Sequence, residues 1–153
     1  MKILIILFTL FTLAYSQQRV FVLDKYDKEI ELEAKIVSKI ANESLRENIK
    51  IYIPNISDQE KKIYSKYFEV SVDCESANFV FDKSGLGNNA CKNLDKLYFT
   101  NNYRRLMSKS RYFGAFFWNK SRPNIVFVKQ RLKKNGINLS AEYNQFIEEI
   151  DDK

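Results

Sequence analysis

The sequence predicts a single α/β domain: a mixed, mostly parallel sheet flanked by helices, with an aromatic hairpin and further helices toward the C-terminus. Three observations predict it. Helical and strand patterns alternate from residue 25 onward, the arrangement of a sheet covered by helices. A hairpin of aromatic residues near the end is apolar on both faces, as strands covered on both sides are. The chain has 153 residues, enough for one domain and too few for two.

The N-terminus stands outside that domain. Residues 1–16, MKILIILFTLFTLAYS, carry one Lys, an uncharged run and then Ala14-Tyr15-Ser16. Ala14 and Ser16 fit the small-residue positions of a signal-peptidase site. Cleavage is therefore expected before Gln17, leaving an exported domain over 17–153. An uncleaved anchor is the alternative, but the run from Ile3 to Ala14 is short for a bilayer.

The elements follow in order. Ile30, Ala34, Val37 and Ala41 repeat at helical spacing, and Ile36 and Ile40 widen that face, which predicts a helix over 25–46. Acidic residues fill its first turns and Arg46 stands near its end, as the helix dipole favours. IKIYI at 49–53 reads as a strand stopped by Pro54. Ser57-Asp58-Gln59-Glu60 has the form of a capping box, and Ile63, Tyr64, Tyr67 and Phe68 share one face of the helix it opens. EVSV at 69–72, NFVFD at 78–82 and KLYFT at 96–100 read as strands. The next segment, NNYRRLMSKS, reads as a short helix capped by Asn101 or Asn102.

Residues 113–127, FGAFFWNKSRPNIVF, form the hairpin. Strands over 112–118 and 124–128 flank a polar turn, and Pro123 begins the second strand, where a missing donor is tolerated. Strict alternation puts Phe113, Ala115 and Phe117 on one face and Gly114, Phe116 and Trp118 on the other. Both faces belong in the core, with Trp118 beside the turn the most exposed. Residues 129–135 read as a basic amphipathic helix ended by Gly136. Ser140 is expected to cap a last helix with Tyr143, Phe146, Ile147 and Ile150 at i, i+3, i+4 and i+7.

Cys74 and Cys91 are the two cysteines. In an oxidising compartment such a pair most often forms a disulfide. A metal site or a redox pair fits less well, because the chain has no His and no CxxC. The formal charge is +6, falling to +5 once Lys2 leaves with the signal segment. Export argues against nucleic acid as the basic partner. An acidic protein patch fits better, as does weak attraction to an anionic membrane surface. Four NxS sequons, at Asn42, Asn55, Asn119 and Asn138, matter only in a host that glycosylates exported proteins.

The C-terminal third has a recognisable order. Ile125-Val126-Phe127 is followed by a basic helix over 129–134, then Gly136, Ile137, Ser140 and a final amphipathic helix through Ile147. This resembles the YfiR-like family of small periplasmic regulatory proteins. The match extends loosely to NFVFD and to the first helix. It departs from the family at Ala115-Phe116-Phe117-Trp118, where relatives carry a more glycine-rich strand, and in the loop at 84–90. The resemblance implies a periplasmic α/β domain that regulates an inner-membrane sensor, typically a diguanylate cyclase, by protein contact.

The chemistry agrees with a binder rather than an enzyme. Absence of His removes the commonest general base, the serines lack a GxSxG context, and no metal-loop pattern occurs. No cofactor is expected. Open α/β sheets bind ligands beyond their strand C-termini. Those ends carry Asn55, Ser57, Lys83, Ser84, Thr100, Asn101 and Arg104, candidates for holding an anionic or polar metabolite, although capping and turn chemistry explains the same residues. Tyr103, Arg105, Tyr112, Trp118, Lys120 and Arg122 gather around the hairpin. Arginine beside exposed aromatic rings is the composition of protein-binding hot spots, so these are the candidates for contact with the membrane sensor.

Overall fold

A computed structural model describes residues 25–87, 91 and 95–150. The expected signal segment and cleavage site lie outside them. Helix α1 spans 25–45 and buries Ile30, Ala34, Val37, Ile40 and Ala41, the stripe its spacing predicts. Strand β1 is Lys50–Tyr52. Helix α2, Asp58–Tyr64, opens on a complete capping box: Ser57 accepts from the Glu60 backbone and Glu60 accepts from the Ser57 backbone. Such a cap contributes about 1 kcal/mol. Then come β2 (Glu69–Val70), β3 (Phe79–Asp82) and β4 (Leu97–Thr100). Helix α3, Tyr103–Ser108, is capped by Asn102 rather than Asn101. Strands β5 (Tyr112–Asn119) and β6 (Arg122–Val128) make the hairpin, and α4 covers Lys129–Lys134.

The seven strands form one sheet in the order β2-β1-β3-β4-β5-β6-β7. Neighbours run parallel everywhere except across the β5–β6 hairpin. Along one face Ile51, Phe79, Phe81, Phe99, Phe113 and Phe127 pack against α1, α2 and α4. Their rings form a continuous aromatic layer, with Phe99 to Phe113 at 5.3 Å and Phe113 to Phe127 at 6.2 Å between centroids. The opposite face holds Val80, Tyr98, Tyr112 and Ala115 under Leu106 of α3. Buried Arg131 of α4 donates to the carbonyls of Leu106 and Tyr112, tying α3 to β5.

Cys74 and Cys91 form the expected disulfide, buried on this second face. It spans 17 residues, and closing such a loop stabilises a fold by about 3 kcal/mol. The Cys74→Ala/Cys91→Ala variant should lose about that much in urea unfolding. A loss under about 1 kcal/mol would show that the loop is already ordered without the bridge.

Three expectations change. The alternation in β5 breaks: Tyr98 faces Tyr112 but Phe99 faces Gly114, so Phe113 is an extra residue in the ladder. This bulge turns Phe113 onto the same layer as Phe116, not onto the Ala115 and Phe117 face. The predicted last helix is instead a 3-10 turn, Ala141–Phe146, followed by strand β7, Ile147–Glu148. Ser140 makes no side-chain cap there. The strand form wins because Phe127 and Val128 offer an open edge of backbone groups that Ile147 and Glu148 pair with. The strand expected over 69–72 stops at Val70, and Val72 is 80% exposed. No helix among the described residues is long and apolar enough to cross a membrane.

Candidate functional site

Because β1 to β5 run parallel, their C-terminal ends share one edge. Strand order reverses between β1 and β3, since β2 lies beyond β1 while β4 lies beyond β3. Such a switch point opens a crevice at the strand ends. Alternation at the end of β3 sends Asp82 to one side of the sheet and Lys83 to the other.

On the α1–α2 side, Lys83 Nζ lies 2.6 Å from Glu33 Oε1 and 2.7 Å from Glu60 Oε1. Tyr64 donates its hydroxyl to Glu33 Oε1 at 2.7 Å. Ser57 Oγ donates to Glu60 Oε2 at 2.8 Å, so the helix cap and the ion cluster share one carboxylate. Burial alone would lower the Lys83 pKa, but Glu33 and Glu60 outweigh it and hold the ammonium above the usual lysine value. Glu60 is held below the usual carboxylate value: burial opposes this, and Lys83 and Ser57 overcome it. Burial, then the charge of Glu33, pushes the Tyr64 hydroxyl far above its ordinary range. A cleft of about 210 Å³ opens over this cluster, lined also by Tyr26, Glu29, Asn101 and Trp118.

On the α3 side, Asp82 is fully buried. Its Oδ1 accepts from the Gly85 backbone at 2.7 Å and its Oδ2 from the Tyr112 hydroxyl at 2.5 Å. Arg105 Nη1 donates to the Asp82 carbonyl at 2.8 Å and to Thr100 Oγ1 at 3.1 Å. Thr100 in turn donates to the Asp82 carbonyl at 2.9 Å. Burial and then the bond to Asp82 raise the Tyr112 pKa above the ordinary tyrosine range. These side chains bond one another, and the cluster serves to fix α3 against the sheet.

The sequence-derived candidates therefore separate. Lys83, Asn101 and Trp118 meet at the cleft, with Ser57 behind Glu60. Thr100, Arg105 and Tyr112 lie in the Asp82 cluster, with Thr100 and Tyr112 buried and Arg105 partly exposed. Asn55 is exposed in a turn at φ 57°, and Ser84 is exposed, its Oγ accepting from the Leu86 backbone. Arg104 is exposed on α3. Tyr103 rests its ring 5.4 Å from Phe117, and Trp118 meets Phe116 edge-on at 5.6 Å. Lys120 and Arg122 are exposed at the hairpin tip, where Lys120 and Ser121 both take left-handed conformations, φ 48° and 61°.

Sequence reasoning missed Glu33, and read Glu60 only as a capping residue and Asp82 only as a residue at a strand end. Glu33 did leave a signal, because it sits within the apolar stripe, three residues after Ile30 and four before Val37. A carboxylate there is buried and requires a partner. Asp82 ends an otherwise apolar strand for the same reason. Among the described residues no group of three His, Cys, Asp or Glu side chains is arranged to hold a metal ion. No family model matches the chain, and no curated protein or solved structure matches it either.

Proposed function

We propose that the chain is an exported regulatory binding module that contacts the periplasmic part of an inner-membrane signalling protein of the diguanylate-cyclase or kinase type. The observation that carries this reading is the hairpin tip. Trp118 is 37% exposed beside the cationic Lys120 and Arg122. An exposed aromatic anchor followed within four residues by two exposed cations suits an acidic face on a protein partner. Left-handed Lys120 and Ser121 give a two-residue turn whose twist matches the strands, so the tip is presented rigidly. The part of the YfiR-like order that the fold keeps, a strand, a basic helix and a Gly, supports the same class of partner.

In-cell crosslinking followed by capture from native membranes tests the proposal, comparing the wild type with Trp118→Ala/Arg122→Ala. One membrane signalling protein should be recovered with the wild type and lost with the variant. Equal recovery by both, or recovery of no membrane signalling protein, would overturn it. The cleft over Lys83 favours a second reading, a small periplasmic solute-binding protein whose ligand is a polar metabolite held at the strand edge.

A further inference from the structure

We infer that the cleft between α1, α2 and the end of β3 binds a small aliphatic amine in its ammonium form. This rests on the solute-binding reading of that cleft and specifies the ligand's charge. Three features of the cleft converge on it.

The first is charge. Glu29, Glu33 and Glu60 line the cleft against the single cation Lys83, a formal excess of two negative charges. Lys83 already bridges two of the carboxylates at hydrogen-bond distance, so what remains unbalanced faces an incoming ligand. An anion would meet that excess at close range and be repelled.

The second is an open acceptor in a buried group. Glu33 is only 6% exposed. Both of its hydrogen bonds among the described residues, from Tyr64 and from Lys83, fall on Oε1. A carboxylate carries acceptor sites on both oxygens, which leaves Oε2 to receive an N–H. The Lys83 contact shows that the other oxygen of the same carboxylate already accepts from an alkylammonium.

The third is the aromatic rim. Tyr26 and Trp118 are 45% and 37% exposed on the cleft wall. Aromatic faces attract ammonium groups and cover alkyl chains. At about 210 Å³ the cleft is smaller than a drug-sized pocket, which suits a ligand of a few heavy atoms. Glu29 stands at the outer side, where it makes a long ion pair, 4.0 Å, with exposed Lys25.

Trp118 is the single tryptophan of the chain, so its fluorescence reports the cleft directly. The purified protein is titrated with 1,4-diaminobutane, with tetramethylammonium and with succinate. Diaminobutane should change Trp118 emission saturably. Tetramethylammonium, which has no N–H to donate, should bind about tenfold more weakly or worse. Succinate, of matching length and opposite charge, should produce no saturable change. Glu33→Gln should weaken diaminobutane about tenfold and Glu29→Gln a few-fold. Circular dichroism checks that each variant is folded. If Glu33→Gln is not, the exposed Glu29→Gln decides alone. No saturable response to diaminobutane, or the same response in the folded carboxylate variants, would overturn the inference. A response to succinate instead would overturn it while leaving a solute-binding function standing.

Discussion

Lys83→Met is expected to destabilise the protein by about 4 kcal/mol, the range found when one partner of a buried ion cluster is removed. The methionine fills much the same space, so packing is not the cause. Two carboxylates, Glu33 and Glu60, are left beside each other without a cation. The Lys83 side chain is 21% exposed, which leaves little water to screen them. Urea unfolding measures the loss. Replacing both acids as well, in Lys83→Met/Glu33→Gln/Glu60→Gln, should recover most of it. A triple variant as unstable as the single one would show that the cluster acts through shape and not charge.

The same cluster sets a pH window. Glu60 has its pKa lowered in the fold from 4.5, so its contribution is present above that value and is lost as pH falls through the lower folded pKa. Lys83 has its pKa raised from 10.5, so its contribution is present below that value and is lost as pH rises through the higher folded pKa. Tyr64 and Tyr112 are both raised from 10.0, which adds to the alkaline loss. Stability against pH should be flat through neutrality and fall at both ends. In Lys83→Met the alkaline limb should lose the part that Lys83 contributes and keep the tyrosine part.

Gly114→Ala should cost about 3 kcal/mol, at the upper end of what overpacking does. A Cβ at this position would lie 2.7 Å from Phe127 Cδ1, 2.8 Å from Phe99 Cε2 and 2.8 Å from the Val126 carbonyl oxygen. Neither ring is at the end of a flexible chain, and the carbonyl belongs to the ladder of β6. Thermal unfolding of the variant gives the magnitude. A shift of only a degree or two would mean that the aromatic layer can slide aside, contrary to its close packing.

Local features were readable in the chain. The stripe of α1, the capping box at Ser57 and the hairpin around Lys120 depend on residues near one another. The bulge at Phe113 does not. It puts the Phe113 ring in the layer with Phe99 and Phe127, where strict alternation offers only the hydrogen of Gly114. The Lys83 cluster was half readable. Lys83 was visible as a strand-end cation, but Glu33 lies 50 residues away and Glu60 lies 23 residues away. Only the parallel order of β1 and β3 brings them together. The segment 140–150 was misread because its apolar spacing suits a helix equally well. The edge of β6, a distant feature, decides for a strand.

That last strand also governs how the protein avoids sticking to itself. The outer edge of β6 has two halves. Its first residues, Arg122 and Pro123, are exposed, and a charge and a proline discourage another strand from joining there. Phe127 and Val128 have no such defence, and β7 covers them. A chain cut before Ile147 would expose that apolar half as a template for a second molecule. Light scattering should then show concentration-dependent association in the shortened protein and none in the full chain. Monodispersity, on this view, depends on two residues near the end of the sequence.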